Sequence, residues 1–211
     1  MPSLRQILQS HAPLLLIDAA STRIQVGFLD SFERQRWSAL DGEAGVAIFT
    51  GIEQLAVDLS AVRAFLFCEG PGSILGIRTA AMAIRTWQTL APRPAFAYGS
   101  LDLTAQALGR DDVSLIADAR RDSWHVQRPG EKLRRVPSAE LSGPLLMPEN
   151  FRHWTPLPAG LQLTPYDVAA SLMRVPDADL FRAAPEPDAF LHEEPSYATW
   201  TPHIHRAPKP A

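Results

Sequence analysis

The sequence predicts an α/β fold built from two similar lobes with mixed sheets. Three observations carry this. An apolar strand ending in a carboxylate, Pro13 to Asp18, opens the chain, and the same opening returns at Ser114 to Asp118. Each is followed by a small polar turn and an alternating strand, Ile24 to Leu29 and Trp124 to Gln127. Between the two openings, apolar runs of strand length alternate with helical spacing, the pattern of parallel strands joined by helices.

In order, Asp30–Ser31 marks a turn and Glu33 to Ser38 a third strand. Val46, Phe49, Ile52, Leu55 and Leu59 fall on one face of a helix. Ala64 to Cys68 is unbroken apolar, as in a strand buried on both faces. A glycine loop follows at Gly70–Ser73. A long helix is expected over Gly76 to Leu90, stopped by Pro92 and Pro94. Ala95 to Tyr98 reads as a strand. Ser100 is placed to cap a helix over Leu101 to Leu108, with Gly109 ending it. After the second opening come a short strand at Lys132 to Val136, a helical turn at Ser138 to Leu141 and a strand at Leu145 to Met147. Thr164, with Pro165 behind it, is expected to start a last helix ending near Arg174. The matching centres are Leu16-Ile17-Asp18-Ala19 and Ile116-Ala117-Asp118-Ala119. Such a duplicated plan suggests two ribonuclease-H-like lobes, over residues 1–108 and 109–175. From 176 to 211 recurrent prolines exclude a regular helix and predict an extended arm, its last five or so residues disordered.

Composition narrows the function. The chain has 211 residues, 46% hydrophobic and 20% charged, ordinary for a globular protein. No apolar run approaches the ~20 residues of a membrane-crossing helix, and the N-terminus carries no apolar core of a signal peptide, so a cytoplasmic location without membrane contact is expected. Net charge is -3, and the dense basic clusters are Arg120–Arg121 and Lys132–Arg134–Arg135. Tight autonomous RNA binding usually needs a more basic surface. The single cysteine, Cys68, precludes an internal disulfide or a multi-cysteine zinc site and reads as a buried thiol.

Two places could carry chemistry. Asp18 and Ser21 stand at a strand-to-hairpin turn, where a carboxylate and a hydroxyl either meet magnesium and phosphate or simply cap the turn. Gly70, Gly72 and Ser73 lie between a strand and a helix, as a phosphate loop would, but no lysine follows the glycines. In the helix beyond, Gly76, Ala80 and Ala83 form a stripe of small residues, with Arg78 beside it. That stripe either packs on the sheet or admits a partner helix. The histidines are His11, His125, His153, His192, His203 and His205. None forms a paired metal motif within a helix. His203 and His205 in the arm could hold a metal, but solvent exposure suits them better. No nucleophile–base pair is evident, so neither a catalytic residue nor a cofactor is expected.

Taken together, Leu16 to Ser21, Gly70-Pro71-Gly72-Ser73-Ile74-Leu75-Gly76-Ile77-Arg78 and Ile116 to Arg120 resemble the TsaB (YeaZ) family of the glycoprotease-like group. The order and spacing of the three motifs match, and the G-P-G-S-x-x-G-x-R block is the specific one. The likeness covers about residues 14 to 128. Ala19 stands where the family has threonine, and Ile74–Leu75 replaces an aromatic–threonine pair. The resemblance implies an actin-like ATPase fold. It implies a non-catalytic subunit beside a TsaD-like catalytic homologue and a TsaE-like ATPase, in threonylcarbamoyl transfer to adenosine 37 of tRNA, which this chain would touch only indirectly. It also implies pairing, with TsaD or with a second copy, through the helices carrying Val46, Phe49, Gly76, Arg78, Ala80 and Ala83. Any nucleotide site at Asp18, Ser21, Gly70, Gly72 and Ser73 would be vestigial. The alternative is a small ATPase or kinase using Asp18 and the Gly70–Ser73 loop. A glycoprotease is disfavoured, because the paired histidines are absent.

Overall fold

The computed structural model describes residues 1–190. The last part of the arm, including His192, His203, His205 and the final residues expected to be disordered, lies outside the described residues. Helix α1 (Leu4–His11) leads into strands β1 (Leu14–Asp18), β2 (Arg23–Leu29) and β3 (Gln35–Asp41). Then come α2 (Ala44–Gln54), β4 (Ala64–Gly70), α3 (Ile74–Leu90), β5 (Ala95–Gly99) and α4 (Ser100–Leu108). The second half runs β6 (Ser114–Asp118), β7 (Ser123–Gln127), β8 (Arg134–Pro137), a 3-10 turn at Ser138–Glu140, β9 (Leu145–Pro148), β10 (Gln162–Thr164), α5 (Val168–Arg174) and β11 (Arg182–Ala183).

Two separate sheets form, and they repeat one plan. The first has the order β11-β5-β4-β1-β2-β3 and the second β10-β9-β6-β7-β8. In each, two antiparallel hairpins (β1-β2-β3; β6-β7-β8) continue through parallel neighbours on the other side of the opening strand. Asp18 and Asp118 are both the last residue of that opening strand. The duplicated motif read from four matched positions is thus a duplicated sheet topology.

Strand alternation divides the core. Leu15 and Ile17 of β1 pack with Phe65 and Phe67 of β4 under α2 and α3. Leu14 and Leu16 point the other way, into a cluster joining α1, α4 and the second sheet's Leu115, Trp124 and Leu146. Helices α4 and α5 pack together between the lobes.

Three local expectations are corrected. The N-terminal residues form α1, started by a reciprocal capping box between Ser3 and Gln6 and holding Leu4, Ile7 and Leu8 in the core. Ser100 is not a cap: Gly99 is, and the Ser100 hydroxyl donates 2.5 Å to the carbonyl of Pro71 instead. The cap of the last helix lies three residues beyond Thr164, which ends β10. The cap is Asp167, whose carboxylate accepts from the Ala170 amide at 2.9 Å. The arm returns to the first lobe, where β11 adds an antiparallel edge to β5.

Candidate functional site

The glycine loop and the first aspartate turn are packed on each other. The Ser73 amide donates 2.7 Å to the carbonyl of Ala20. Gly72 has φ +152°, and a Cβ there would collide with the Ala20 carbonyl; one at Gly76 would collide with the Ala19 carbonyl. The glycines therefore serve close approach of the loop to the β1–β2 turn. That turn presents carbonyl oxygens, which repel an anion, where the sequence left room for a phosphate. Ser73 does cap α3, its hydroxyl accepting from the Gly76 amide at 3.3 Å. Ser21 is spent on its own turn, donating 2.8 Å to the Arg23 carbonyl.

Asp18 is fully buried. Its carboxylate accepts from the Tyr98 hydroxyl at 2.6 Å, the Tyr166 hydroxyl at 2.7 Å and the Ala20 amide at 3.0 Å. Burial raises the carboxyl above its ordinary value, and the hydrogen bonds from Tyr98, Tyr166, Ala20 and Cys68 only partly counter this. Burial and the nearby Asp18 charge push both tyrosines well above their usual range. Tyr98 comes from β5 and Tyr166 from the segment between β10 and α5. Gln25 of β2 completes the joint: its amide donates 3.1 Å to the Tyr166 carbonyl, and its side-chain oxygen accepts from the Val168 amide at 3.0 Å. Asp18, for which the sequence left magnesium binding and turn capping open, caps its turn through the Ala20 amide and is the centre of a sealed joint between lobes. A solvated metal has no approach to it, and of the residues expected to form a vestigial phosphate site, Asp18, Ser21, Gly70, Gly72 and Ser73, Asp18 is sealed while Ser21, Gly72 and Ser73 are engaged within the two turns and the α3 cap.

The second turn is built alike and left open. Asp118 accepts from the amide two residues on, Arg120, as Asp18 does from Ala20. Its carboxylate also takes the amides of Trp154 and Thr155, the latter at 2.7 Å. Partial burial pushes its pKa up, but the combined bonds from Thr155, Trp154 and Arg120 outweigh that, and the net shift is downward. The same segment reaches the first turn, where the Asn150 carbonyl accepts from the Thr22 amide at 2.8 Å. Residues 150–155 therefore run as a strap from one aspartate turn to the other.

On the far face of the first sheet, α2 and α3 lie side by side, with Phe49 edge-on to Trp87 at 6.3 Å. Their outer surface carries large apolar side chains, Val46 being 66% exposed, Phe49 50%, Leu75 78% and Met82 59%, among exposed polar ones such as Arg85 and Thr86. Arg78 is also exposed and faces Asp188 of the arm at 3.8 Å. The small stripe is not on that surface. Gly76 is pressed on the first turn, and Ala80 and Ala83 pack against the sheet, Ala80 being 1% exposed. The reading that Gly76, Ala80 and Ala83 admit a partner helix is thus corrected: they let α3 lie close to the sheet.

The sequence reading missed Gln25, Tyr98, Tyr166, Asn150 and Trp154, because their roles depend on contacts remote in sequence. Only Tyr98 gave a signal, as a polar-tipped aromatic ending an apolar run. Among the described residues no cluster of three or more histidines, cysteines or carboxylates is arranged for a metal, and no helix is long and apolar enough to cross a membrane.

Two ribonuclease-H-like lobes with repeated sheet order define the actin-like ATPase fold. Within it, the chain has the fold of YeaZ. YeaZ from Pseudomonas aeruginosa is similar over 75% of this chain and 88% of its own, with a TM-score of 0.57 and 20% identity. A structure described as an uncharacterized protein with similarity to peptidase YeaZ from Pseudomonas aeruginosa gives a TM-score of 0.56 at 20% identity, covering 76% and 88% of the two chains. No family model and no curated protein matches the sequence.

Proposed function

We propose that this chain is a non-catalytic partner subunit, of the TsaB kind, in threonylcarbamoyl transfer to adenosine 37 of tRNA. The observation that carries the reading is the set of large apolar side chains left exposed on α2 and α3, Val46, Phe49, Leu75 and Met82. Exposed apolar patches of this sort mark protein interfaces. Two helices from each partner can then pack as a four-helix arrangement. The partner is a TsaD-like catalytic homologue or, when the chain is alone, a second copy; a TsaE-like ATPase joins the assembly. The sealed Asp18 supports the absence of activity in the chain itself, since no carboxylate remains at the first turn to orient magnesium. The fold shared with YeaZ and the G-P-G-S-x-x-G-x-R block support the choice of pathway, and with it a cytoplasmic setting.

The test is light scattering after size exclusion, on the chain alone and mixed with the cognate TsaD-like subunit. Phe49→Glu and Met82→Glu should each leave the monomer folded by circular dichroism and abolish association. Unchanged assembly in both variants removes this surface from the proposal.

A further inference from the structure

We propose that the open second turn holds one unpaired nucleotide of an RNA strand, its base against Trp154 and its phosphate on Arg121. The pocket holds about 430 Å³ and is lined by Arg120, Arg121, Asp122, Trp154, Thr155 and Pro156. Trp154 is 57% exposed, although a large aromatic ring gains by burial. The Arg120 guanidinium lies 4.0 Å from the centroid of its ring. Together they make a flat cationic platform, the surface on which bases stack without regard to sequence. Among the described residues neither Arg120 nor Arg121 forms an ion pair; Arg120 is engaged with the Trp154 ring, and the Arg121 charge is the one available to a phosphodiester.

The platform is held in place before any ligand arrives. Arg120, Arg121 and Asp122 have φ of 61°, 51° and 54°, three successive left-handed residues without a glycine among them. That conformation is costly for each and persists where surrounding contacts fix it. The contacts are identifiable. Asp118 ties the Arg120 amide to those of Trp154 and Thr155. Arg135 donates to the Ala119 carbonyl at 3.2 Å, the Arg120 carbonyl at 3.3 Å and the Ser123 hydroxyl at 2.9 Å. Asp118 is thereby occupied by donors and repels a phosphate less. Asp122, exposed at the pocket edge, is the one opposing charge that lines it. A single stacked base with one or two phosphate contacts gives weak, salt-sensitive binding, in keeping with a net charge of -3.

The experiment is fluorescence anisotropy of a labelled eight-nucleotide oligoadenylate at low salt, titrated with the full chain and no partner subunit. Its outcome is therefore separate from that of the α2–α3 docking test. Wild type should bind, Trp154→Leu should weaken binding about tenfold, and Trp154→Phe should retain most of it. Arg121→Ser should weaken binding and flatten its salt dependence, whereas Asp122→Asn should tighten it. Adenosine monophosphate as competitor separates the sources of the same chemistry. Weak competition supports a strand, and competition equal to the oligonucleotide's overturns the strand in favour of a free nucleotide. Absence of wild-type binding, or equal binding by Trp154→Leu, overturns the site.

Discussion

Asp18 shows how one residue type at one position can serve opposite ends. At a strand terminus it has the placement of a phosphate-handling carboxylate, and the sequence left that reading open. Two hydroxyls contributed from distant segments close it. Asp18→Ala would leave both tyrosine hydroxyls and the Ala20 amide without their acceptor, each orphaned group costing about 1–3 kcal/mol. We expect a loss of at least about 3 kcal/mol in urea denaturation. The pH dependence has a definite sign. Because burial raises the folded-state pKa, the folded chain holds the Asp18 proton more tightly than the unfolded chain does. Its contribution to stability is full below the ordinary carboxylate value and falls as pH climbs to the raised one. Asp18→Asn, which cannot ionise, should therefore gain on wild type as pH rises through that window. A stability difference that stays constant with pH would sink the assignment. Gly72→Ala is expected to destabilise by about 1–3 kcal/mol in the same assay, through a disfavoured φ and the collision with Ala20.

At the scale of elements, most of the fold was legible and most of the site was not. The strand runs, the α3 helix and the repeated openings came from periodicity, a local property of the chain. Helix α1 was legible but missed: Ser3-x-x-Gln6 is a capping box standing before the helical spacing of Leu4, Ile7 and Leu8. Strand β11 is two residues long and exists only through its pairing with β5. The small stripe of α3 was legible as a close-packing device, but sequence alone does not say which side does the packing. Position 80 separates the two answers. Ala80→Trp would force a large ring between α3 and the first sheet, and the expected outcome is a loss of about 1–3 kcal/mol or failure to fold. Thermal melting checks this: a mutant as stable as wild type would restore Ala80 to the outer surface. Leu75→Glu on the same helix should melt within about 0.5 kcal/mol of wild type, since the side chain it replaces is already in water.

For the whole molecule, the joint at Asp18 and Gln25 and the strap over residues 150–155 act together. They tie the two lobes through side chains at one point and through backbone at another. Gln25→Leu would strip the Tyr166 carbonyl and the Val168 amide of their partners, and hydrogen exchange should then quicken across Tyr166 to Val168 before it does in β1. Uniform quickening of both would mean that the lobes unfold as one and the joint has no separate stability. Folded tRNA should bind the chain alone only weakly at physiological salt, given its net charge of -3; a gel shift at submicromolar protein would contradict this. The strap has one more consequence. In this chain the two halves are tied by its own backbone, and in the assembly proposed above that tie would present the same angle to a partner at every encounter, as a set-square does.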